Sequence, residues 1–295
     1  MKIKKDRTTH LLEIIAYVLV ALFSAICLLP FIMMVSASFS TETTIMQSGI
    51  GVFPKDFTLE AYRIAFSAPK YIIGSYVVTI LITGVGTGIG LFLIAMTGYV
   101  LQRKDFFLRN KISFYIYFTT LFSAGLAPTY LWMTKYLGLK NNYLAVLLPA
   151  LMTPWLIFLM KNFMKSIPFE ITESGKIDGA GDFRIFVSLI LPMLKPALAT
   201  VGLFLALNYW NEWYNAMLYL PNVDYQPLQY YLYKTVNQAT FLKSSLAGAN
   251  VNVGMLPTET LKMATAVLAT GPVIFLYPFV QKYFISGITV GAVKG

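Results

Sequence analysis

The chain has 295 residues, of which 57% are apolar and only 12% are charged. The few charged residues cannot cover the surface of a globular protein, and the composition therefore excludes a soluble domain. We expect lipid to cover much of the surface instead. The net charge of +10 comes from 23 basic and 13 acidic residues that are spread over short loops, which argues against a nucleic-acid-binding protein.

The chain contains six stretches with almost no charged residues, and these predict membrane-spanning helices. Each is close to or above the roughly 20 residues that cross a hydrocarbon core. We therefore expect one all-α integral membrane domain over residues 1–295. The predicted spans are 14–37, 72–101, 112–133, 142–161, 190–216 and 261–282.

The basic residues set the predicted orientation of these spans. With the N-terminus inside, fifteen of the 23 lysines and arginines fall in interior segments and eight in exterior ones. Short loops rich in Lys and Arg stay on the cytoplasmic side of a membrane. We therefore expect a multi-pass protein of the plasma membrane, with both termini and the loop 162–188 in the cytoplasm.

A glycine run lies within the second predicted span. It contains Gly84, Gly86, Gly88 and Gly90, and it lacks the Gly-Lys-Ser/Thr ending with which a nucleotide-binding loop holds phosphate. Small residues four positions apart allow helices to approach closely inside a membrane. The run therefore predicts helix packing and no ATP site in this chain.

The polar loop between the fourth and fifth predicted spans is the strongest candidate for a partner contact. Ser166 is a candidate N-cap, and Glu170 and Glu173 place negative charge where a helix N-terminus favours it. Gly179 can adopt the left-handed conformation that ends a helix. These features predict a short helix over 167–181, either for docking a partner or as an ordinary interfacial helix.

Polar side chains recur near the outer end of the fifth predicted span. Asn208, Asn211, Glu212 and Asn215 follow helical spacing, which predicts that they lie on one face. Such a face is costly against lipid, so it must meet protein or water. Trp210 lies among these residues, and an aromatic ring beside amides suits a sugar. We predict that the five residues line a translocation path; a polar contact between helices is the alternative.

Catalytic chemistry has no support in the remaining residues. The single histidine, His10, has no cysteine or carboxylate cluster near it, and the paired acids of a membrane-embedded enzyme are missing. A proton- or ion-coupled carrier is the main alternative function, but it needs ionisable groups inside the spans. Glu212 is the only carboxylate well inside an apolar neighbourhood, so this alternative is weakened and stays open.

The loop before the fifth span resembles the EAA loop of ABC-importer permeases. The matching residues are Glu173, Asp178, Gly179, Ala180, Leu191 and Pro192, while Ser174 and Gly175 stand where that loop has two alanines. The tail 279–295 resembles the C-terminus of the smaller membrane subunit of the maltose transporter. Asn211-Glu212-Trp213 and Phe53-Pro54-Lys55 are similar to the same carbohydrate branch, so the resemblance covers the whole chain.

This resemblance implies a type I importer that carries an oligosaccharide. Its parts would be this permease, a second homologous permease, two ATPase subunits that bind ATP and Mg, and an extracellular sugar-binding protein; no cofactor is expected in this chain. The resemblance also implies that the ATPase subunits contact the loop and the tail. The residues concerned are Glu170, Glu173, Ser174, Gly175, Asp178, Gly179, Ala180, Gly291 and Lys294.

The longest connections, 38–70 and 220–259, face outward in the predicted topology. By the same resemblance they would lie where the binding protein docks. The stretch Ser244–Asn250 resembles the periplasmic loop that reaches toward the sugar-binding protein, and a plain loop is the alternative.

Overall fold

The computed structural model of the protein describes residues 7–246 and 257–292, which fold mainly into α-helices. Within these ranges the strand-like pairing is limited to a single antiparallel bridge between Ser40 and Phe57. The predicted all-α class is thus confirmed for the described residues. They belong to two compact units, Met1–Ala68 with Lys234–Gly271 and Pro69–Tyr233 with Pro272–Gly295.

The first unit contains five helical segments. These are α1 (Arg7–Ser38), α2 (Glu42–Ser48), α3 (Glu60–Ala65), the second half of α14 (Leu228–Leu246) and the start of α15 (Glu259–Ala292). Between α1 and α3 the chain folds back on itself. The backbone N–H of Thr58 donates to the carbonyl of Phe39 at 2.9 Å, and the Phe39 ring stacks on the Phe57 ring. This closure fixes where α2 lies.

The second unit is built around α4. Its helices are α4 (Pro69–Gln102), α5 (Arg109–Leu121), α6 (Leu126–Leu131), α7 (Leu144–Ala150), α8 (Pro154–Met164), α9 (Glu170–Ile177), α10 (Asp182–Ile185), α11 (Leu191–Met193), α12 (Lys195–Trp210) and α13 (Tyr214–Tyr219), with π-helical turns at Trp132–Tyr136 and Phe186–Ile190. Helix α4 packs against α8 and α12. Ile94, Met160 and Leu205 are among the fully buried side chains of this core.

Two glycines of the predicted packing run lie at helix contacts. A Cβ on Gly86 would lie 2.5 Å from the Tyr209 ring, and a Cβ on Gly90 would lie 2.7 Å from the Leu205 side chain. The packing prediction is therefore confirmed for this pair. The other two glycines of the run, Gly84 and Gly88, lie at no helix contact among the described residues, since an added Cβ there would meet no described atom within 4 Å.

Two helices in the described part of the chain are long and apolar enough to cross a membrane, His10–Ser38 and Pro69–Gln102. The number rises to four if each of two bent helix pairs counts as one span. The helices α1 and α4 contain the first and second predicted spans. Six crossings remain a prediction.

The third predicted span, 112–133, is not one continuous helix. Helix α5 ends at Leu121, and Phe122 has an extended backbone. Gly125 follows with a φ of 85°, a left-handed conformation that side chains disfavour, before α6 begins. Hydropathy alone does not detect this interruption, because all the residues around it are apolar or small.

The fourth and fifth predicted spans, 142–161 and 190–216, are bent. Helices α7 and α8 meet at an angle of 42°, where Pro154 begins α8. An angle of 87° separates the segment that ends at Met193 from α12, in which Pro196 is the second residue. Proline lacks an N–H, so it is tolerated in the first turn of a helix but not in its interior, and both prolines lie in a first turn. At the first bend the residue before the proline, Thr153, is also extended.

Candidate functional site

The loop helix α9 is shorter than the predicted 167–181, but it ends as predicted. Gly179 has a φ of 75°. Its N–H donates to the carbonyl of Lys176 at 3.0 Å, and the N–H of Ala180 donates to the carbonyl of Gly175 at 2.9 Å. These two bonds are the Schellman pattern, which satisfies carbonyls at a helix C-terminus. The glycine stop is therefore confirmed.

The beginning of α9 differs from the prediction. Ser166 is not its N-cap, because its hydroxyl donates to the carbonyl of Phe163 at 2.7 Å and so belongs to the end of α8. Phe169 occupies the cap position and has no side-chain oxygen to offer. Glu170 and Glu173 do lie in the first turn, so the predicted negative charge at this helix end is present.

Most of the predicted docking residues are accessible. Glu170, Glu173, Ser174, Asp178 and Gly179 are exposed, and Ala180 is half-buried. Gly175 instead faces inward. A Cβ at this position would lie 3.0 Å from the Ile185 side chain and 3.1 Å from that of Leu189. Glycine in place of the alanine of the resembling loop therefore lets α9 lie close against the segment that follows it.

Two further parts of the prediction fall at the limits of the described chain. Gly291 lies in the last turn of α15, and Lys294 lies outside the described residues. Of the outer stretch 244–250, residues 247–250 also lie outside them.

Four charged side chains that the sequence analysis did not single out connect α9 to the end of α4. We call Arg103, Asp105, Lys176 and Asp182 the ionic link. The Arg103 guanidinium contacts both carboxylates, with Nε 2.9 Å from Asp105 Oδ1 and Nη1 2.5 Å from Asp182 Oδ1. Lys176 Nζ lies 3.0 Å from Asp105 Oδ2. Helices α9 and α10 of the loop are thus tied to Asp105 and Arg103, which lie just after α4.

The ionic link is electrostatically tight around Arg103, whose side chain is only 11% exposed. Its hydrogen bond holds the pKa of Asp105 well below the usual range, and the same bond raises the pKa of Arg103. The guanidinium also lies over the Tyr99 ring, 5.7 Å from its centre. Both pKa shifts favour the charged forms of Arg103 and Asp105.

A cavity of about 350 Å³ borders the ionic link. Its walls are mainly apolar and include Met96, Tyr99, Phe106, Phe183 and Phe186. Three residues of the link, among them Arg103, form its polar side.

The prediction that four polar residues share one helix face at the end of the fifth span is wrong. Helix α12 ends at Trp210, so the four polar residues do not share one helix. Glu212 lies beyond this end and accepts from the backbone N–H of Asn215 at 2.7 Å and from its amide at 2.9 Å. The carboxylate therefore caps α13. Asn208 is exposed and Trp210 is buried.

A cluster of aromatic and amide groups surrounds this turn. Asn211 accepts from the amide of Gln229 at 3.3 Å, and the Trp213 ring lies 4.8 Å from the Tyr233 ring. The rings of Trp213 and Tyr233 are 38% and 44% exposed. Sequence spacing did not indicate Gln229 or Tyr233, because they come from α14. The exposed rings and amides can contact the apolar faces and hydroxyls of a sugar.

A buried carboxylate in the first unit accepts hydrogen bonds from residues of two other helices and the segment between them. Glu42 is 5% exposed and accepts the N–H of Thr260 at 3.0 Å and that of Glu259 at 3.0 Å. Lys243 Nζ and the Thr258 hydroxyl also contact it at 3.0 Å. Burial alone would raise the pKa of Glu42, but these donors outweigh it and hold the pKa below 4.5. A charged Glu42 therefore caps the N-terminus of α15.

The chain is similar over nearly its whole length to two bacterial proteins and to one solved structure. It is 38% identical to the polygalacturonan/rhamnogalacturonan transport system permease protein YtcP of Bacillus subtilis, over 97% of this chain and 99% of that protein. It is 39% identical to protein LplC of the same organism, over 92% and 90%. A crystal structure of a bacterial ABC transporter that imports the acidic polysaccharide alginate matches with a TM-score of 0.78 and 31% identity, over 96% of this chain and 100% of that one. No protein-family model matches the chain.

Proposed function

The chain belongs to the permease family of carbohydrate ABC importers, and we propose that it forms half of the membrane path of an ATP-driven, binding-protein-dependent oligosaccharide importer. The observation that carries the proposal is the full-length likeness to a permease and to an importer chain, at 38% and 31% identity. A second permease would complete the path. Two ATPase subunits in the cytoplasm would bind ATP and Mg, and this chain would be non-catalytic.

Helix α9 is the proposed contact with an ATPase subunit. Its exposed side carries Glu170 and Glu173, and its inward side is fixed by the close approach at Gly175. The ionic link supports this role, because it ties α9 to the end of α4, the helix that packs against α8 and α12. A displacement of α9 would thereby reach the core of the second unit. Gly291 and Lys294 remain proposed contacts by resemblance.

The proposed topology has six crossings, with both termini and α9 in the cytoplasm of a plasma-membrane protein. The distribution of Lys and Arg supports it. Single cysteines introduced at Ser174 and at Phe53, in a background with Cys27→Ser, test it with a membrane-impermeant thiol reagent. We expect labelling of intact cells only at residue 53. Labelling at residue 174 would contradict the topology.

The proposed sugar contacts lie around the turn after α12. Asn208, Asn211 and the neighbouring aromatic rings provide amides and exposed ring faces, whereas Trp210 and Glu212 support the turn. The names of two relatives suggest the class of substrate: polygalacturonan and alginate are both acidic polysaccharides. We therefore propose an oligosaccharide that contains uronic acids.

Reconstitution tests the proposed function. The chain would be purified with the neighbouring permease, the ATPase subunits and the binding protein, and placed in liposomes. We expect uptake of labelled oligogalacturonate that requires ATP and the binding protein, with neutral maltooligosaccharide as the control substrate. Uptake driven by a proton or sodium gradient without ATP would instead support the carrier alternative.

Two substitutions test whether the turn after α12 contributes to sugar uptake without affecting assembly of the importer complex. Trp213→Ala removes an exposed ring, and Asn211→Ala removes an amide from the same cluster. We expect lower uptake and an altered preference among oligosaccharides, with the complex still assembled. Phe107→Ala, which removes another exposed ring at a different place in the chain, is the control. Normal uptake by both test variants would contradict a role in the path.

A further inference from the structure

Two aromatic rings meet where α8 begins beside α12. Trp155 is the second residue of α8, and its ring packs against the Phe204 ring of α12 with the centres 5.2 Å apart and the planes at 80°. Trp155 is 57% exposed and Phe204 is 36% exposed. The contact restricts the orientation of the indole, while much of its surface stays accessible.

The two rings lie at a similar depth in the proposed membrane orientation. Lys165 follows α8 and Lys195 begins α12, so these lysines mark the cytoplasmic ends of the two helices. At a rise of about 1.5 Å per residue, Trp155 lies about 15 Å from Lys165 and Phe204 about 14 Å from Lys195. The hydrocarbon core is about 30 Å thick, so both rings lie near its middle. Trp155 is therefore not an interfacial anchor of the kind that tryptophan usually forms.

Two polar groups on this surface have no hydrogen-bond partner among the described residues. One is the side-chain amide of Asn208, which is exposed and lies one turn beyond Phe204 on the same side of α12. The other is the indole N–H of Trp155. Lipid tails offer no acceptor, and an unpaired N–H is strongly disfavoured in the hydrocarbon region. This surface therefore has to meet water, protein or a transported solute.

Helix α4 exposes a face of a different kind. Leu81, Val85, Ile89 and Phe92 recur at spacings of three and four residues, and all are exposed and apolar. Lipid tails are as apolar as these side chains and can cover them. The surface around Trp155 differs because it combines aromatic rings with unpaired N–H groups.

A sugar ring matches this combination. It has a C–H face that can stack on an aromatic ring, and its hydroxyl and carboxylate oxygens can accept from an indole or an amide N–H. The turn after α12 offers the same combination in Trp213 and Asn211. Asn208 lies between that turn and Phe204 along the chain, so the two places are connected by the last turns of one helix.

We propose that Trp155 and Phe204 form an aromatic platform near the middle of the membrane, on which a sugar ring of the transported oligosaccharide stacks. The amide of Asn208 donates to an oxygen of the same oligosaccharide. The inference rests on the proposed importer function and adds an inner sugar contact to the outer one at the turn after α12.

Thiol labelling in the assembled importer tests the platform. Phe204→Cys, Asn208→Cys and Ile89→Cys would each be introduced together with Cys27→Ser, with the cysteines of the partner subunits replaced, and the complexes placed in liposomes. We expect a charged methanethiosulfonate reagent to modify positions 204 and 208 at least about tenfold faster than position 89, because the reactive thiolate forms in water and not in lipid. Oligogalacturonate supplied with the binding protein and ATP should slow modification at position 204 about threefold, as for a site occupied two thirds of the time.

Two results would overturn the proposal. Modification at position 204 as slow as at position 89 would show that lipid or the second permease covers this surface. Fast modification that oligogalacturonate leaves unchanged would show a surface lined by water without a sugar contact.

Transport by tryptophan variants is a second measurement that leaves Phe204 in place. Trp155→Ala removes the indole, Trp155→Phe keeps an aromatic ring, and Trp132→Ala removes a tryptophan with the same 57% exposure elsewhere in the chain. We expect Trp155→Ala to lower oligogalacturonate uptake per ATP hydrolysed about tenfold, equivalent to about 1.4 kcal/mol, because a sugar that is not held in the path returns to the outside. Trp155→Phe should keep most of the uptake, and Trp132→Ala all of it.

Equal uptake per ATP by Trp155→Ala and Trp132→Ala would also overturn the platform. Uptake by the unmodified complex, measured with and without ATP and the binding protein, reports separately on the proposed function.

Discussion

The Glu42 carboxylate and the Lys243 ammonium lie 3.0 Å apart although 201 residues separate them in the chain. Their contact joins α2 to α14, and the same carboxylate caps α15 through the N–H groups of Glu259 and Thr260. One buried charge therefore connects three helices of the first unit.

Replacing Glu42 should destabilise the first unit. Glu42→Gln keeps the shape of the side chain but removes the charge that accepts from Lys243 and from two backbone N–H groups. We expect a loss of about 1–3 kcal/mol in the free energy of unfolding, because buried donors lose a charged acceptor. Thermal unfolding of the detergent-solubilised protein measures it. Glu60→Gln, at an exposed carboxylate in the first turn of α3, is the matched control and should have little effect.

The lowered pKa of Glu42 predicts a pH dependence. A carboxyl group whose folded pKa lies below its usual 4.5 contributes stability that is fully present above that value and is lost as the pH falls through the folded pKa. Unfolding temperatures measured from pH 7 down to pH 3 should therefore fall more steeply for the unmodified protein than for Glu42→Gln. Parallel curves for the two proteins would contradict the prediction.

Reversing the charge at Glu173 should uncouple transport from ATP hydrolysis. Glu173 is exposed in the first turn of α9, and a charge-assisted contact with an ATPase subunit is worth roughly 1.5–3 kcal/mol. Glu173→Lys should lower uptake and substrate-stimulated ATPase activity while membrane insertion stays normal. Glu60→Lys makes the same charge reversal in the first turn of another short helix. Equal activity of the two variants would argue against docking through α9.

The members of the ionic link should contribute unequally to stability. Arg103 is 11% exposed and contacts two carboxylates, so Arg103→Gln should cost about 2–3 kcal/mol. The Lys176–Asp105 pair is 44% and 38% exposed, so Lys176→Met should cost less than about 1 kcal/mol. Chemical denaturation of both variants provides the comparison. A larger loss for Lys176→Met would contradict this ranking.

The glycines of α4 provide a test within one helix. Gly86→Ala places a methyl group 2.5 Å from the Tyr209 ring and should destabilise the protein by about 1–3 kcal/mol. Gly84→Ala meets no described atom within 4 Å and should be neutral or stabilising by up to about 1 kcal/mol, because alanine is the better helix former. Thermal unfolding of the two variants side by side measures both. Similar losses in the two variants would contradict a packing role specific to Gly86, and a gain in both would show that helix propensity outweighs the close contact.

The sequence was most informative where a local rule determines the structure. Gly179 ends α9 because only a left-handed residue completes that type of helix end, and the helical class follows from long apolar stretches. It was least informative where distant residues meet. Glu42 looks like an ordinary loop acid, and the charges at 103–105 look like a common end of a span. Their partners, Thr260 and Asp182, cannot be identified from local patterns.

The turn after α12 illustrates a different kind of error. The residues at 208, 211, 212 and 215 follow helical spacing, and the helix nevertheless ends at Trp210. Glu212 then caps the following helix through Asn215, so the spacing runs across the end of α12, a turn and the start of α13. Spacing rules assume one continuous helix and do not detect such a change.

The cap on α15 also constrains the order of events during biosynthesis. Glu42 leaves the ribosome early, but its acceptor oxygens meet Thr260 only 218 residues later. At a synthesis rate of about 5–20 residues per second, roughly 10–40 s pass between the synthesis of Glu42 and that of Thr260. During that interval the carboxylate needs hydration, so α2 has to remain in water while the later helices are inserted. Helix α15 thus completes a contact that α2 has prepared, and a nascent chain stalled before residue 258 would lack it.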